Sequence, residues 1–402
     1  MQYIDNEAET NTQVDTDFDH LDTTPTREEV LNEYASMREK CPVVHSPRYG
    51  GFVHVTRYDD VRAATTSPES FSSADGIFIP PSGLPRIPPL EFEGDEHHAW
   101  RSIMQAPMTP AQVRVMQPAI QDIVTKQIDR FASEGHAELV SALAEPVPVY
   151  TIGLLVGLSD ASAARMRPIA KSLFDSIGTD SFDDHMRVFA EFTGAELESR
   201  RKEPREDFLS QLATGTLGDM ELDDAAIAGV LVALLVGGHH STASALSGLF
   251  HHIMTVPGIR DKVSDPRSLA KVIEESLRLT TPLQLFARTA LQDVSIGGTS
   301  VAAGTRLFVN FASSNLDPRQ FDDPEKFDMD RRPNNHFAFG FGEHLCIGRH
   351  LARAELQIAA TELFRRLPDI AVSGDVQFTG LEGGTLMEIS SLPVTFTPEK
   401  SA

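Results

Sequence analysis

The chain has 402 residues, 41% of them apolar and 23% charged, which is the composition of a globular protein and excludes a disordered or fibrous one. Its 35 Lys and Arg stand against 58 Asp and Glu, a formal charge of −23. A polyanion gains nothing from displacing counterions on phosphates or from an anionic bilayer, so neither nucleic acid nor membrane is an expected partner.

From the N-terminus, Met1 to Thr26 carries seven acids and no Lys or Arg, and is expected as a flexible, solvated acidic tail (residues 1–26). A helical stretch follows. Val43-Val44 and Gly51 to Val55 then read as a short hairpin. Helices are expected from Asp59, from Pro110, from about Gln117 to Phe131, and over Pro146–Gly157, Ala161–Ile177 and Asp183–Arg201. Between them, Ile77 to Pro89 holds five prolines and cannot be helical. Such an apolar loop is either a binding loop or a connector, and both readings stand. The longest apolar run, Ala225 to Val236, is shorter than the roughly 20 residues a bilayer requires, and is expected as a buried helix. Strand signals return at Val294–Ile296, Arg306–Val309 and Pro393–Phe396. With no internal repeat or low-complexity linker, residues 27–402 are expected as one mainly α domain with a minor β portion. Only Cys41 and Cys346 occur, which excludes a disulfide framework. No basic-then-apolar leader opens the chain. A cytoplasmic location is expected.

The segment Phe339-Gly340-Phe341-Gly342-Glu343-His344-Leu345-Cys346-Ile347-Gly348 sets three glycines around one cysteine, ahead of a helical run from Leu351 to Phe364. Glycines let backbone amides approach the sulfur, and a helix N-terminus adds positive potential; both favour the thiolate. The segment fills every fixed position of F-G-x-G-x-H-x-C-x-G, and so resembles the haem-binding loop of the cytochrome P-450 family. Glu275-Ser276-Leu277-Arg278 is similar to that family's E-x-x-R, and Phe321, Pro324, Phe327 and Arg331 to its F-x-x-P-x-x-F-x-x-x-R meander. Glu96-His97-His98-Ala99-Trp100-Arg101 is similar to its E-H-x-x-x-R helix. The likeness runs from about Cys41-Pro42-Val43 to Ser391–Val394, nearly the whole chain outside the acidic tail, and is greatest to soluble bacterial members.

The resemblance implies a single-domain cytochrome P-450 fold, with haem b between a long central helix and the cysteine loop. Cys346 would be the iron ligand, with Phe339, Gly340 and Gly348 shaping its loop. His97, Arg101, Arg288 and His344 would hold the haem propionates. Glu275, Arg278 and Arg331 would form a buried structural cluster behind the loop. By the same resemblance Ile77, Phe78, Ile79, Phe174, Ile177, Ala233, Val236, Gly237, Leu283, Leu285, Leu386 and Met387 face a substrate pocket. The expected activity is a haem-thiolate monooxygenase, whose axial thiolate favours O–O cleavage. It would act on a small or medium hydrophobic substrate, terpenoid- or aromatic-like. Electrons would come from a ferredoxin and its reductase, docking to a monomer on the cysteine side at Arg349 and Arg353.

The chain departs from the family at Gly237-Gly238-His239-His240-Ser241, where A-G-x-(D or E)-T is usual. His240 replaces the acid and Ser241 the threonine that together pass protons to the bound oxygen. Ser241, His240 and Thr242 are therefore the expected catalytic residues. On a regular helix, neighbours about 100° apart would not let His240 and Ser241 both face the iron. Two adjacent glycines would let that helix bend or widen. His240 would be a partly protonated gate near its ordinary value of about 6.5. Peroxide-driven or rearranging chemistry on the same fold, and a non-catalytic haem sensor, stay open.

Overall fold

The computed structural model describes residues 14–400, apart from 178 and 218. Helices dominate, and strands are few and short. The largest sheet has five strands in the order Val43–Ser46, Phe52–Val55, Arg306–Asn310, Leu285–Ala290 and Phe71–Ser72. The hairpin pairs antiparallel with Val43 opposite Val55, and Arg306–Asn310 joins Phe52–Val55 in parallel.

The expected helices at Pro110 and Gln117 are one continuous helix, Pro110–Asp129, with Pro118 inside it. Its buried Val113, Ile120, Val124 and Ile128 recur at helical spacing, so packing of one face outweighs the bond that proline removes. The expected loose tail is also corrected. Residues 1–13 lie outside the described residues, but from Val14 onward the segment is docked. The Thr16 amide donates to the His45 carbonyl at 2.8 Å, and His20 is 1% exposed.

The apolar run lies in a long central helical segment, Asp224–Thr255, which is long and apolar enough to cross a membrane; 61% of its most apolar window is buried inside the protein, as in a core helix. Asp223 caps it by accepting from the Ala226 amide. A wider π-type turn spans Val232–Val236, and regular helix resumes at His240. The glycine pair sits where the turn closes. A Cβ on Gly237 would lie 2.6 Å from the Ala233 carbonyl oxygen, and one on Gly238 2.6 Å from that of Leu234, so no larger residue fits. The helix Arg349–Arg366, which follows the cysteine, packs against His240–Thr255 and Pro110–Asp129.

Candidate active site

One large cavity lies between the central helix and the cysteine loop, and both contribute to its wall. On the loop side, the Cys346 amide donates to the Phe339 carbonyl at 2.9 Å, and the Gly340 amide to that of Phe337 at 2.8 Å. Gly342 has φ +71°, and a Cβ there would lie 2.1 Å from the Thr65 carbonyl oxygen, so only glycine lets the loop pass the helix Tyr58–Thr66. Arg101 reaches across from the helix Gly94–Gln105 and donates to the carbonyls of Glu343 and Leu345, both at 2.8 Å. It braces the loop as well as lining the cavity. Cys346, Phe339, Gly340 and Gly348 all line the cavity too. Burial pushes the Cys346 thiol up, and this outweighs the Gly348 amide and the charges of Arg349, Arg101 and Arg353, which act to lower it. In the protein alone, then, the thiolate is not the favoured form; the expectation from amides and cations had the right sign but omitted the larger burial effect.

Behind the loop the three charged residues meet. Glu275 and Arg278 are both 0% exposed and paired twice, at 2.7 and 2.9 Å, and Arg331 reaches the same carboxylate at 3.1 Å. Asn334 and the Asp328 amide complete its hydrogen bonds, and Arg278 also donates to the carbonyls of Asn315 and Pro324. Sequence reasoning missed the neighbouring Glu274, which holds Arg353 by two bonds of 2.7 and 2.8 Å and His336 at 3.2 Å. Arg353 is thus paired, and the positive charge expected from it on the docking face is largely cancelled.

The cationic edge is on the same side. His344 contacts Glu93 at 3.3 Å, and its ring meets that of His97 at 4.6 Å. His97 is fully buried with neither ring nitrogen bonded, and burial, then the charges of His344 and Arg101, lower its pKa to about 4. Arg288, 5% exposed, lines the cavity; its pKa is lowered to about 10 by burial, and it has no acidic partner within ion-pair distance among the described residues. A buried guanidinium without an anion is costly, so the group that the resemblance implies, an anionic iron porphyrin ligated by a thiolate, fits this donor set.

Across the cavity, His240, Ser241 and Thr242 all line the wall. The π-type turn at Val232–Val236 lies just ahead of them, next to the glycine pair that was expected to let the helix widen. Ser241 Oγ donates to the Gly237 carbonyl at 3.3 Å. His240 is 4% exposed, stacks on Phe174 at 4.8 Å, and has Nδ1 3.3 Å from the Val236 carbonyl. Burial lowers its pKa to about 4, so it is neutral at neutral pH rather than partly protonated as expected.

Of the expected pocket residues, Ile77, Phe78, Phe174, Ile177, Ala233, Val236, Gly237 and Leu283 line the cavity. Leu285 and Met387 do not; both pack in a separate core with Tyr34, Phe52 and Phe308. Ile79 belongs to that core as well, and Leu386 is fully buried in the main helical core. For Leu285 the cause is strand alternation, since its neighbour Phe286 in the strand Leu285–Ala290 faces the cavity instead; Thr385, in the turn before Leu386, lines it as well. Ile87 and Leu90 also face it, so the proline-rich segment contributes to the cavity wall. Glu355, on the cysteine helix, was missed too; it lines the cavity, and burial raises its carboxyl to about 8.

A profile of the Cytochrome P450 family matches residues 267–370. Steroid C26-monooxygenase of Mycobacterium tuberculosis (strain ATCC 25618 / H37Rv) is 31% identical over 374 residues, 91% of this chain and 93% of that one. Nocardicin C N-oxygenase of Nocardia uniformis subsp. tsuyamanensis is 32% identical over 382 residues, covering 90% and 94%. Among solved structures, a Mycobacterium marinum cytochrome P450, CYP268A2, in complex with pseudoionone has a TM-score of 0.85 at 28% identity, over 92% of this chain and 96% of its own. With a half-buried cysteine loop, a cationic edge and an apolar far wall joined in this fold, the chain belongs to the cytochrome P450 family and is a haem-dependent monooxygenase.

Proposed function

We propose that this enzyme inserts one oxygen atom of O2 into a small or medium hydrophobic substrate, terpenoid- or aromatic-like, using electrons from a ferredoxin and its reductase. One observation carries the reading: Cys346, an unpaired buried arginine and a wall of Ile77, Phe78, Phe174, Val236 and Leu283 share a single cavity. Relatives named for a steroid and solved with pseudoionone agree with an apolar substrate. The haem is of the b type, because two cysteines 305 positions apart offer no C-x-x-C-H attachment. When bound, it supplies the O2 reduction and oxygen transfer that no side chain performs.

The remaining work falls to the chain. Cys346 ligates the iron; His97, Arg288 and His344 hold the propionates, with Arg101 dividing its donors between them and the loop. Ser241, with Thr242 beside it, would offer a hydrogen bond at the cavity wall, and His240, held neutral, would pass protons there. The chain works as a cytoplasmic monomer whose one domain includes the docked segment from Val14 onward. A second reading, peroxide-driven turnover or rearrangement, draws on one observation: the usual acid–alcohol pair is replaced by a neutral histidine and a serine. Turnover of a compound found by spectral titration separates the two. Product formed in step with ferredoxin-delivered electrons supports the first, and product formed only with added peroxide overturns it.

A further inference from the structure

Residues 14–24 are fastened across the outside of the large sheet. The His45 amide donates to the Val14 carbonyl at 2.8 Å, Thr16 Oγ1 to Glu33 at 3.0 Å, and Tyr49 Oη to Asp19 at 2.6 Å; Arg48 pairs with Asp19 at 3.0 Å. Between these fasteners the segment dips inward. The His20 ring packs edge-on to Phe308 at 4.8 Å and to Phe52 at 5.6 Å, and its Nε2 bonds the carbonyl of Ile79, next to cavity-lining Phe78. His20 and Leu21 then press on the turn at Gly383-Gly384. A Cβ on Gly384 would lie 2.7 Å from His20 and 2.8 Å from Leu21, while one on Gly383 would lie 3.3 Å from the Phe174 ring. A small second cavity separates His20 and Leu21 from Phe78, Ile177 and Thr385, and these three also line the main cavity. A single layer of side chains therefore lies between the segment and the substrate space.

We propose that His20 and Leu21 are specificity-determining residues, the tip of an N-terminal strap that backs one wall of the substrate cavity and limits the length of the substrate. This rests on the haem-thiolate reading of the main cavity. Protein packed behind a single wall layer sets how far that layer can yield, because interiors are close-packed and volume changes of one methylene are felt.

The test uses haem-loaded protein and n-alkylimidazoles from butyl to dodecyl, whose imidazole anchors at the iron while the tail measures reach. Wild-type affinity should rise about fourfold for each buried methylene until the tail meets the strapped wall, then level off. In Leu21→Ala the rise should continue for about two further methylenes, of the order of the side-chain volume removed. In Leu21→Phe it should stop earlier, and in Arg48→Ala, which leaves Asp19 to Tyr49 and the Leu21 amide and so loosens the strap, long-tailed probes should associate faster. Butyl affinity should be unchanged in all three. An identical length limit in Leu21→Ala, Leu21→Phe and His20→Ala overturns the proposal, as does a uniform loss that includes the butyl probe, since that marks the strap as a fold support only. Failure of every probe to shift the haem spectrum of the wild type would instead count against the haem-thiolate reading itself.

Discussion

The two sides of this cavity are built from different materials. The cysteine side is held by charges and backbone hydrogen bonds: Glu275 with Arg278 and Arg331, Glu274 with Arg353, and Arg101 on the loop carbonyls. The far side is held by packing, with apolar residues from the central helix, the proline-rich loop and Phe286 forming a wall broken by His240, Ser241, Thr242 and Thr385. On the first side each of these charged residues has a fixed partner, so exchange leaves a charge or a carbonyl unpaired. On the second, shape can vary at modest cost. One side is suited to holding a constant cofactor, and the other to adapting to a substrate.

That contrast is broken most severely at Glu275. Glu275→Gln keeps the size but leaves two arginines against a neutral partner, and should destabilise the loaded protein by about 3–5 kcal/mol, the cost of breaking a buried pair. Chemical unfolding followed by haem absorbance measures it. Next comes Arg288→Ala; on the proposed reading it removes a charged hydrogen bond to the haem, worth about 1.5–3 kcal/mol. Haem transfer to an acceptor protein should speed up more than tenfold, with the order of preferred ligands unchanged; a changed order would place Arg288 on the substrate side.

On the far side, His240 is held neutral with a folded value of about 4, below the ordinary 6.5. Because that value is depressed, its share of stability is fully present above pH 6.5 and is lost as pH falls toward 4, at about 1.4 kcal/mol per pH unit within that window. His240→Gln should flatten the stability curve there by one proton, and an unchanged slope would mean that His240 is not held neutral. The smallest effect is expected at Ser241, where one hydrogen bond is involved. Ser241→Ala should lower product formed per electron pair and raise peroxide release, with haem content unchanged, and His240→Glu should introduce a carboxylate-type pH dependence. Coupling unchanged in both would move proton delivery to Thr242.

The same contrast decides what could be read from the sequence. Residues fixed by short spacing were legible: the glycines of the Cys346 loop, and Glu275 with Arg278. Leu285 was misread by one position for Phe286, because in a short strand either neighbour is apolar enough to pass for the buried one. Arg353 looked like free charge because its partner Glu274 lies 79 residues away. The docked N-terminal segment was hidden by its own acidity. What holds it is two buried rings and a few charges of the hairpin, a balance that composition does not express.

The central claim is that Cys346 is the thiolate ligand that makes this cavity a haem-thiolate site. The most direct measurement is the absorption spectrum of the reduced carbonyl complex in wild type, Cys346→Ala and Cys41→Ala. The far red-shifted band should be present in wild type and in Cys41→Ala, and absent from Cys346→Ala. Its persistence in Cys346→Ala, or its loss in Cys41→Ala with haem still bound, would contradict the account.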